Sequence, residues 1–270
     1  MIGRHFATYF PVAVMALWAL FALSGPWLPL TPDAIVLSKI LNGPDMNALL
    51  GYDDLGRPIW DRLVMGARTS FVVAMWVTFI SMTVGTFIGA SSAYFGGWVD
   101  LLIVRLIDVF LAVPGILLAI AFAGIMGPGI ENVVIALSIV GWVGFARLAR
   151  AQVLALKHRD HVQAAISLGT PSFTIIRRHL LPLISAPLIV EATFSIAGVV
   201  IAEAGLSFLG LGVQPPDASW GSMIRDGTAY MLVAPHMVLP PGIAMLLIVL
   251  SVNLLGDRLR DILDVRSRSR

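Results

Sequence analysis

Residues 157–182 read KHRDHVQAAISLGTPSFTIIRRHLLP, a charged island between two long apolar regions. Val162, Ala165, Ile166 and Gly169 recur at spacings of three and four, which predicts a short amphipathic helix over the first half. Gly169 suits the position just past a helix end. Thr170 offers a side-chain oxygen as N-cap of a second helix, and Pro171 suits its first position, where a missing N–H costs nothing. That second helix carries Phe173 and Ile176 on one side. Pro182 and Pro187 are expected to turn the chain toward the next apolar stretch. Lys157, Arg159, Arg177 and Arg178, joined by His179 when protonated, leave this element no place in lipid. It is expected in water on the cytoplasmic side, presenting a small apolar face.

The regions on either side are read as membrane spans. Of 270 residues, 58% are hydrophobic and only 13% charged, against about 45–50% and about 25% in soluble domains. This is the composition of an integral membrane protein. With no cysteine, the chain has no disulfide framework, no thiolate metal site and no cysteine nucleophile. A net charge of +2 carries no nucleic-acid signature, so where the bases lie matters more than their sum.

Six spans are expected. Residues 6–32 carry no charge and exceed the roughly 20 helical residues that a hydrocarbon core needs. Arg4 and His5 ahead of an apolar run also fit a signal peptide, but the run is longer than an h-region and no A-x-A site ends it, so the reading is a retained helix. Residues 33–68 form a first external loop. The second span is 69–99, where Gly85, Gly89 and Ala93 make a small-residue stripe that lets another helix approach closely. Gly96 and Gly97 turn the chain. The third span is 109–130 and the fourth runs from 132 to about 153. The fifth runs from 183 to about 211, interrupted by Glu191 and Glu203. A second external loop covers 212–235, the sixth span 237–256, and a basic tail 257–270. With the N-terminus inside, thirteen lysines and arginines fall on inner segments, including Arg270, and five (Lys39, Arg57, Arg62, Arg68 and Arg225) on outer ones. The positive-inside rule then places both termini in the cytoplasm.

The helix–Gly–helix island resembles the cytoplasmic coupling loop, or EAA loop, of ABC importer permeases. The matching residues are Ala164, Ala165, Leu168, Gly169, Ile175, Ile176, Arg178, His179, Leu180, Leu181 and Pro182. Gln163 stands where the family usually has Glu, which keeps the size and loses the charge. Two more stretches narrow the family. Leu50-Gly51-Tyr52-Asp53-Asp54-Leu55-Gly56-Arg57, with Arg62-Leu63 and Gly66-Ala67-Arg68-Thr69-Ser70, is similar to the first external loop of peptide and nickel importer permeases, with Tyr52, Pro58 and Asp61 as departures. Glu203-Ala204, Leu206 to Gly212, Gln214-Pro215-Pro216, Ser219-Trp220-Gly221 and Asn253 to Asp257 follow in family order. Together they resemble the C-type permease subunit of the dipeptide, oligopeptide and nickel ABC importers.

That resemblance implies an all-α integral membrane protein in the type I ABC importer arrangement, forming one permease domain over residues 1–270. It also implies a multi-pass place in the bacterial inner membrane, lipid around the spans, and a set of partners. These are a homologous B-type permease subunit in a heterodimer, two ATP-binding subunits that hold ATP and Mg, and an extracytoplasmic solute-binding protein. The cargo is a di- or oligopeptide, with nickel or another small solute as the variant. No phosphate-binding loop of the G-x-x-x-x-G-K-[ST] kind occurs in the chain, so no cofactor is expected here and the motor is sought in another subunit.

Individual residues keep two readings. The ATPase-coupling set is Gln163, Ala164, Ala165, Leu168, Gly169, Arg178, His179 and Pro182. Glu203, Ser207, Gln214 and Trp220 are candidates for the path or its gate. A carboxylate inside a span costs about 2.5 kcal/mol or more unless paired or wet, so Glu203 either faces the path or makes a structural hydrogen bond, with Ser207 one turn on as partner. Glu191 is read as an ion-pair partner of Arg147 or Arg150. Trp220 is read as an aromatic-belt anchor or a gate residue. His158 and His161 have no third ligand in view, and no metal site is expected. Glu203 also supports a different class, an ion-coupled secondary transporter, which would work without ATP. A membrane-embedded enzyme has no H-E-x-x-H or G-x-S-x-G to rest on.

Overall fold

A computed structural model of the chain describes residues 2–46 and 48–268; Arg270 lies outside them. The described residues form helices joined by loops, with one isolated bridge, Tyr52 to Pro58, in place of a sheet. The helices are α1 (Ile2–Ser24), α2 (Ile59–Phe95), α3 (Gly97–Leu111), α4 (Gly115–Met126), α5 (Ile130–Leu156), α6 (Asp160–Ser167), α7 (Ser172–Thr174), α8 (Leu181–Phe208), α9 (Trp220–Thr228) and α10 (Leu239–Arg268). Among the described residues, five helical stretches are long and apolar enough to cross a membrane, and α3 with α4, bent by 86°, adds a sixth if the pair is counted as one span.

The axis of the fold is α2 against α5. At about 1.5 Å per residue, the 37 residues of α2 reach roughly 55 Å, well beyond a hydrocarbon core of about 30 Å. The stripe of small residues does what its spacing suggests. A Cβ built on Gly89 would stand 2.0 Å from the Ala146 carbonyl oxygen, and one on Gly85 2.3 Å from that of Trp142. From the other side, a Cβ on Gly141 would meet Ser81 Oγ at 2.5 Å. Only glycine lets the two backbones come this close. The helix α8 lies beside this pair, with α1 packed on α2 and α10 packed on α8 and α1. Trp18 of α1 seats there, donating from Nε1 to Ala67 O at 3.0 Å and meeting Phe71 edge-on at 5.1 Å.

Several expectations change. The third span is not one helix from 109 to 130. It begins at Gly97 and bends by 86° between α3 and α4. Pro114 supplies the reason. It lacks an N–H, it disfavours the helical region at Val113, and it takes an extended conformation ahead of α4 (ψ 126°). Gly96 and Gly97 do turn the chain, at φ 65° and 55°.

The second island helix does not end before the fifth span. The one-turn α7 passes through a π turn at Ile175–Leu180 directly into α8, so a single apolar run covers Ser172–Phe208. Pro182 therefore sits in the first turn of α8 and Pro187 inside it, rather than at a bend. A helical proline collides with the carbonyl four residues back. For Pro182 that residue is Arg178, which lies in the wider π turn. Thr170 is not the cap of this helix either; Pro171 holds the N-cap position and no side chain caps it.

Candidate functional site

The island forms a compact element at the end of α5. In α6, Val162 and Ala165 are buried and join a cluster with Ala90, Ala93, Phe145, Ala149, Val153, Ile175, Ile176 and Leu180. The Gly169 turn is a Schellman motif: Thr170 N–H donates to Ala165 O at 3.1 Å and Gly169 N–H to Ile166 O at 2.9 Å, with Gly169 at φ 76°. This turn throws the opposite face outward. Leu168 is 85% exposed, Phe173 61% and Ile166 43%, and Ala164, Arg159, Arg177 and Arg178 are exposed beside them. Ala165 and Ile176 thus belong to the interior and not to the outer face that the sequence suggested for them. Ile166 moves the other way. His179 is half-buried and Pro182 exposed.

The base of the element is tied down by polar contacts. Lys157 Nζ donates to Ala93 O at 2.9 Å in the last turn of α2, and Gln163 Nε2 donates to Lys157 O at 2.9 Å. Arg150 does not pair with Glu191. Its guanidinium forks onto Asp100 at 2.6 and 2.7 Å, and Ser92 Oγ donates to the same carboxylate at 2.7 Å. The first turn of α3 thereby fixes the end of α2. Glu191 stands over Gly144 instead, 3.4 Å from where a Cβ there would lie.

The other candidate residues gather at the opposite end of α2. Glu203 is 1% exposed. Its carboxylate accepts from Ser207 Oγ at 2.7 Å and from Ser70 Oγ of α2 at 3.0 Å. Of its two readings, the structural hydrogen bond is the one seen, and Ser70 is a partner that sequence reasoning missed. Trp220 is no belt residue. It is 3% exposed, and its Nε1 donates to Leu63 O at 3.1 Å. Gly221 and Gly66 allow α9 to pack this closely; a Cβ on Gly221 would lie 2.4 Å from Ala204 O. Gln214 is exposed and folds its own loop, donating to Gly210 O and Gly212 O, both at 3.0 Å. Thr69 Oγ1 donates to Ala218 O at 2.9 Å and Arg62 Nη1 to Pro216 O at 3.4 Å. The segment from 212 to α9 is therefore laced along one face of α2.

Above it, the 33–58 loop is built on a buried ionic knot. Asp53 accepts from Arg57 Nε at 2.6 Å and from the backbone N–H groups of Leu55 and Arg57, with Arg62 Nε at 3.5 Å. Desolvation, and after it the neighbouring Asp53 carboxylate, raise the Asp54 carboxyl above its ordinary value.

Comparisons with known proteins agree with this architecture. The family model for the binding-protein-dependent transport system inner membrane component matches residues 81–269. The glutathione transport system permease protein GsiD of Pectobacterium atrosepticum is 42% identical over 231 residues, which cover 86% of this chain and 77% of that one. Its namesake in Escherichia coli is 44% identical over 223 residues, covering 83% and 74%. Among solved structures, an inward-facing MetNI methionine ABC transporter superposes with a TM-score of 0.62 at 17% identity, over 76% of this chain and 98% of that one; at this identity the likeness is one of fold. The chain belongs to the family of binding-protein-dependent transport system inner membrane components and is a multi-pass permease subunit of an ABC importer.

Proposed function

We propose that this chain is one half of an ATP-driven import path for small peptides, and that residues 157–182 are where an ATP-binding subunit engages it. The observation that carries the reading is the outward apolar face of Ile166, Leu168 and Phe173, ringed by arginines and held rigidly at the end of α2 and α5 away from the external loop. Such a face is suited to a protein groove rather than to water or acyl chains. Gln163, Ala164, Arg178, His179 and Pro182 would frame it. A homologous B-type permease would complete the path, covering the apolar groove of about 360 Å³ between α2 and α5 that Ile80, Val84, Ile135, Ser138, Ile139 and Trp142 line. Two ATP-binding subunits would hold ATP and Mg, and an extracytoplasmic binding protein would deliver the solute. Both termini would lie in the cytoplasm.

In this account ATP closes the two motor subunits, the closure draws the two coupling elements together, and the spans rock as rigid bodies between inward- and outward-facing states. The names of the relatives support a peptide of glutathione's size as cargo. A secondary transporter rested on Glu203 as a proton relay. That carboxylate is instead buried and bonded to two hydroxyls that join α2 and α8, which favours a fastening role.

Gly169→Val is the test. At φ 76° valine would be strained by about 1–3 kcal/mol, and the Schellman turn would open. The permease should still insert in the membrane, while pull-down of the ATP-binding subunits weakens and their hydrolysis stops responding to loaded binding protein. Unchanged pull-down and stimulation would contradict the assignment of the bend.

A further inference from the structure

We propose that Gln163 is a positioning residue: its side-chain amide fixes the angle of α6 on the end of α5, a task that the acidic residue usual at this place in the family cannot perform. The inference rests on the coupling role proposed for residues 157–182.

Lys157 closes α5, its own N–H bonded to Val153 O at 2.8 Å. Its carbonyl is among those a helix end leaves without an intrahelical donor. Gln163 Nε2 fills that vacancy at 2.9 Å, across the Lys157–Arg159 turn. The helix α6 has few other restraints. It spans eight residues, Val162 and Ala165 alone are buried, and no side chain caps its N-terminus. Past its far end, Gly169 has open space beyond its Cα. The bond also leads inward, because Lys157 Nζ in turn holds Ala93 O of α2 at 2.9 Å. Gln163, Lys157 and Ala93 thus link the coupling helix to both axial helices of the fold. The requirement at 163 is for a hydrogen-bond donor. Glutamate has the length of glutamine, but its ionised carboxylate only accepts and would face a carbonyl oxygen.

The test substitutes residue 163 in the complete reconstituted complex. The chain has no cysteine of its own, so spin labels attached at Leu154 and Ser167 before assembly with unlabelled partner subunits report the α5–α6 distance. Gln163→Lys, a donor, should keep a narrow distance distribution. Gln163→Glu and Gln163→Met, without a donor, should both broaden it and lower binding-protein-stimulated hydrolysis by roughly two- to tenfold, as expected for one modest hydrogen bond. A role in size or shape alone predicts that glutamate serves as well as glutamine. Glu and Met variants as narrow as the parent, or a Glu variant stimulated better than the parent, would overturn the proposal. Leu168→Asp separates the two layers. If it leaves the ATP-binding subunits bound and stimulated, the coupling role falls, while the distance measurement still judges the clasp by itself.

Discussion

Gly89→Leu is expected to yield no assembled permease, and Gly89→Ala to lose stability by about 1–3 kcal/mol, the usual range for overpacking a close contact. The group in the way is backbone. The new Cβ would lie 2.0 Å from Ala146 O, 2.7 Å from Ala146 C and 2.8 Å from Ala146 Cα, so no rotamer change relieves it. Only separating α2 from α5 would, and a gap of even 0.5–1 Å forfeits a quarter to a half of each dispersion contact along the seam. The sign is diagnostic. Alanine is the better helix former by about 1 kcal/mol, so a loss on going from glycine to alanine has to come from packing. The thermal midpoint of the detergent-purified complex, with the yield of inserted protein, reads the effect. A Gly89→Ala midpoint at or above that of the parent would disprove the close contact.

The second large effect is at Glu203. Removing the carboxylate in Glu203→Leu strands the hydroxyls of Ser70 and Ser207 in the interior. Each unsatisfied buried group costs about 1–3 kcal/mol. Both hydroxyls recover part of this by bonding back to a helical carbonyl. A net loss of about 1–3 kcal/mol follows, concentrated where α2 meets α8 and where Val213 N–H donates to Ser207 Oγ. Glu203→Gln keeps one acceptor and the side-chain length, and should assemble with most of the parental stability. Limited proteolysis within 212–219 would report release of the segment. The Leu variant should be cut much faster and the Gln variant at nearly the parental rate. Equal cutting of all three would remove Glu203 as the fastening.

The chain yields its architecture unevenly. The membrane spans follow from composition, and the helix–turn–helix form of residues 157–182 from local chemistry: Gly169 at a helix end, apolar residues at three and four, bases all around. The Gly85, Gly89 and Ala93 stripe likewise foretells a close helix contact, because spacing of four sets residues on one helical face. The misplaced features depend on partners far along the chain. Trp220 has the look of an interfacial aromatic, and only the fold brings Leu63 O and Trp18 to it. Ser70 and Glu203 are 133 residues apart, and no local pattern joins them. Asp100 claims Arg150 across 50 residues, so of the two bases suggested for Glu191 this one is engaged elsewhere. The bend at Pro114 was legible in principle, since Val113-Pro114-Gly115 is a breaker, but high hydropathy on both sides concealed it. The π turn before Pro182 has no comparable sequence signal.

The central claim, that the exposed apolar tip of the 157–182 element is the seat of an ATP-binding subunit, is tested most directly by site-specific photo-crosslinking in the intact complex. A benzophenone side chain at Leu168 should crosslink to an ATP-binding subunit, and the same group at Met46, 97% exposed on the loop that precedes α2, should not. Crosslinking of Leu168 only to lipid or to an external binding protein, or of Met46 to an ATP-binding subunit, would contradict it.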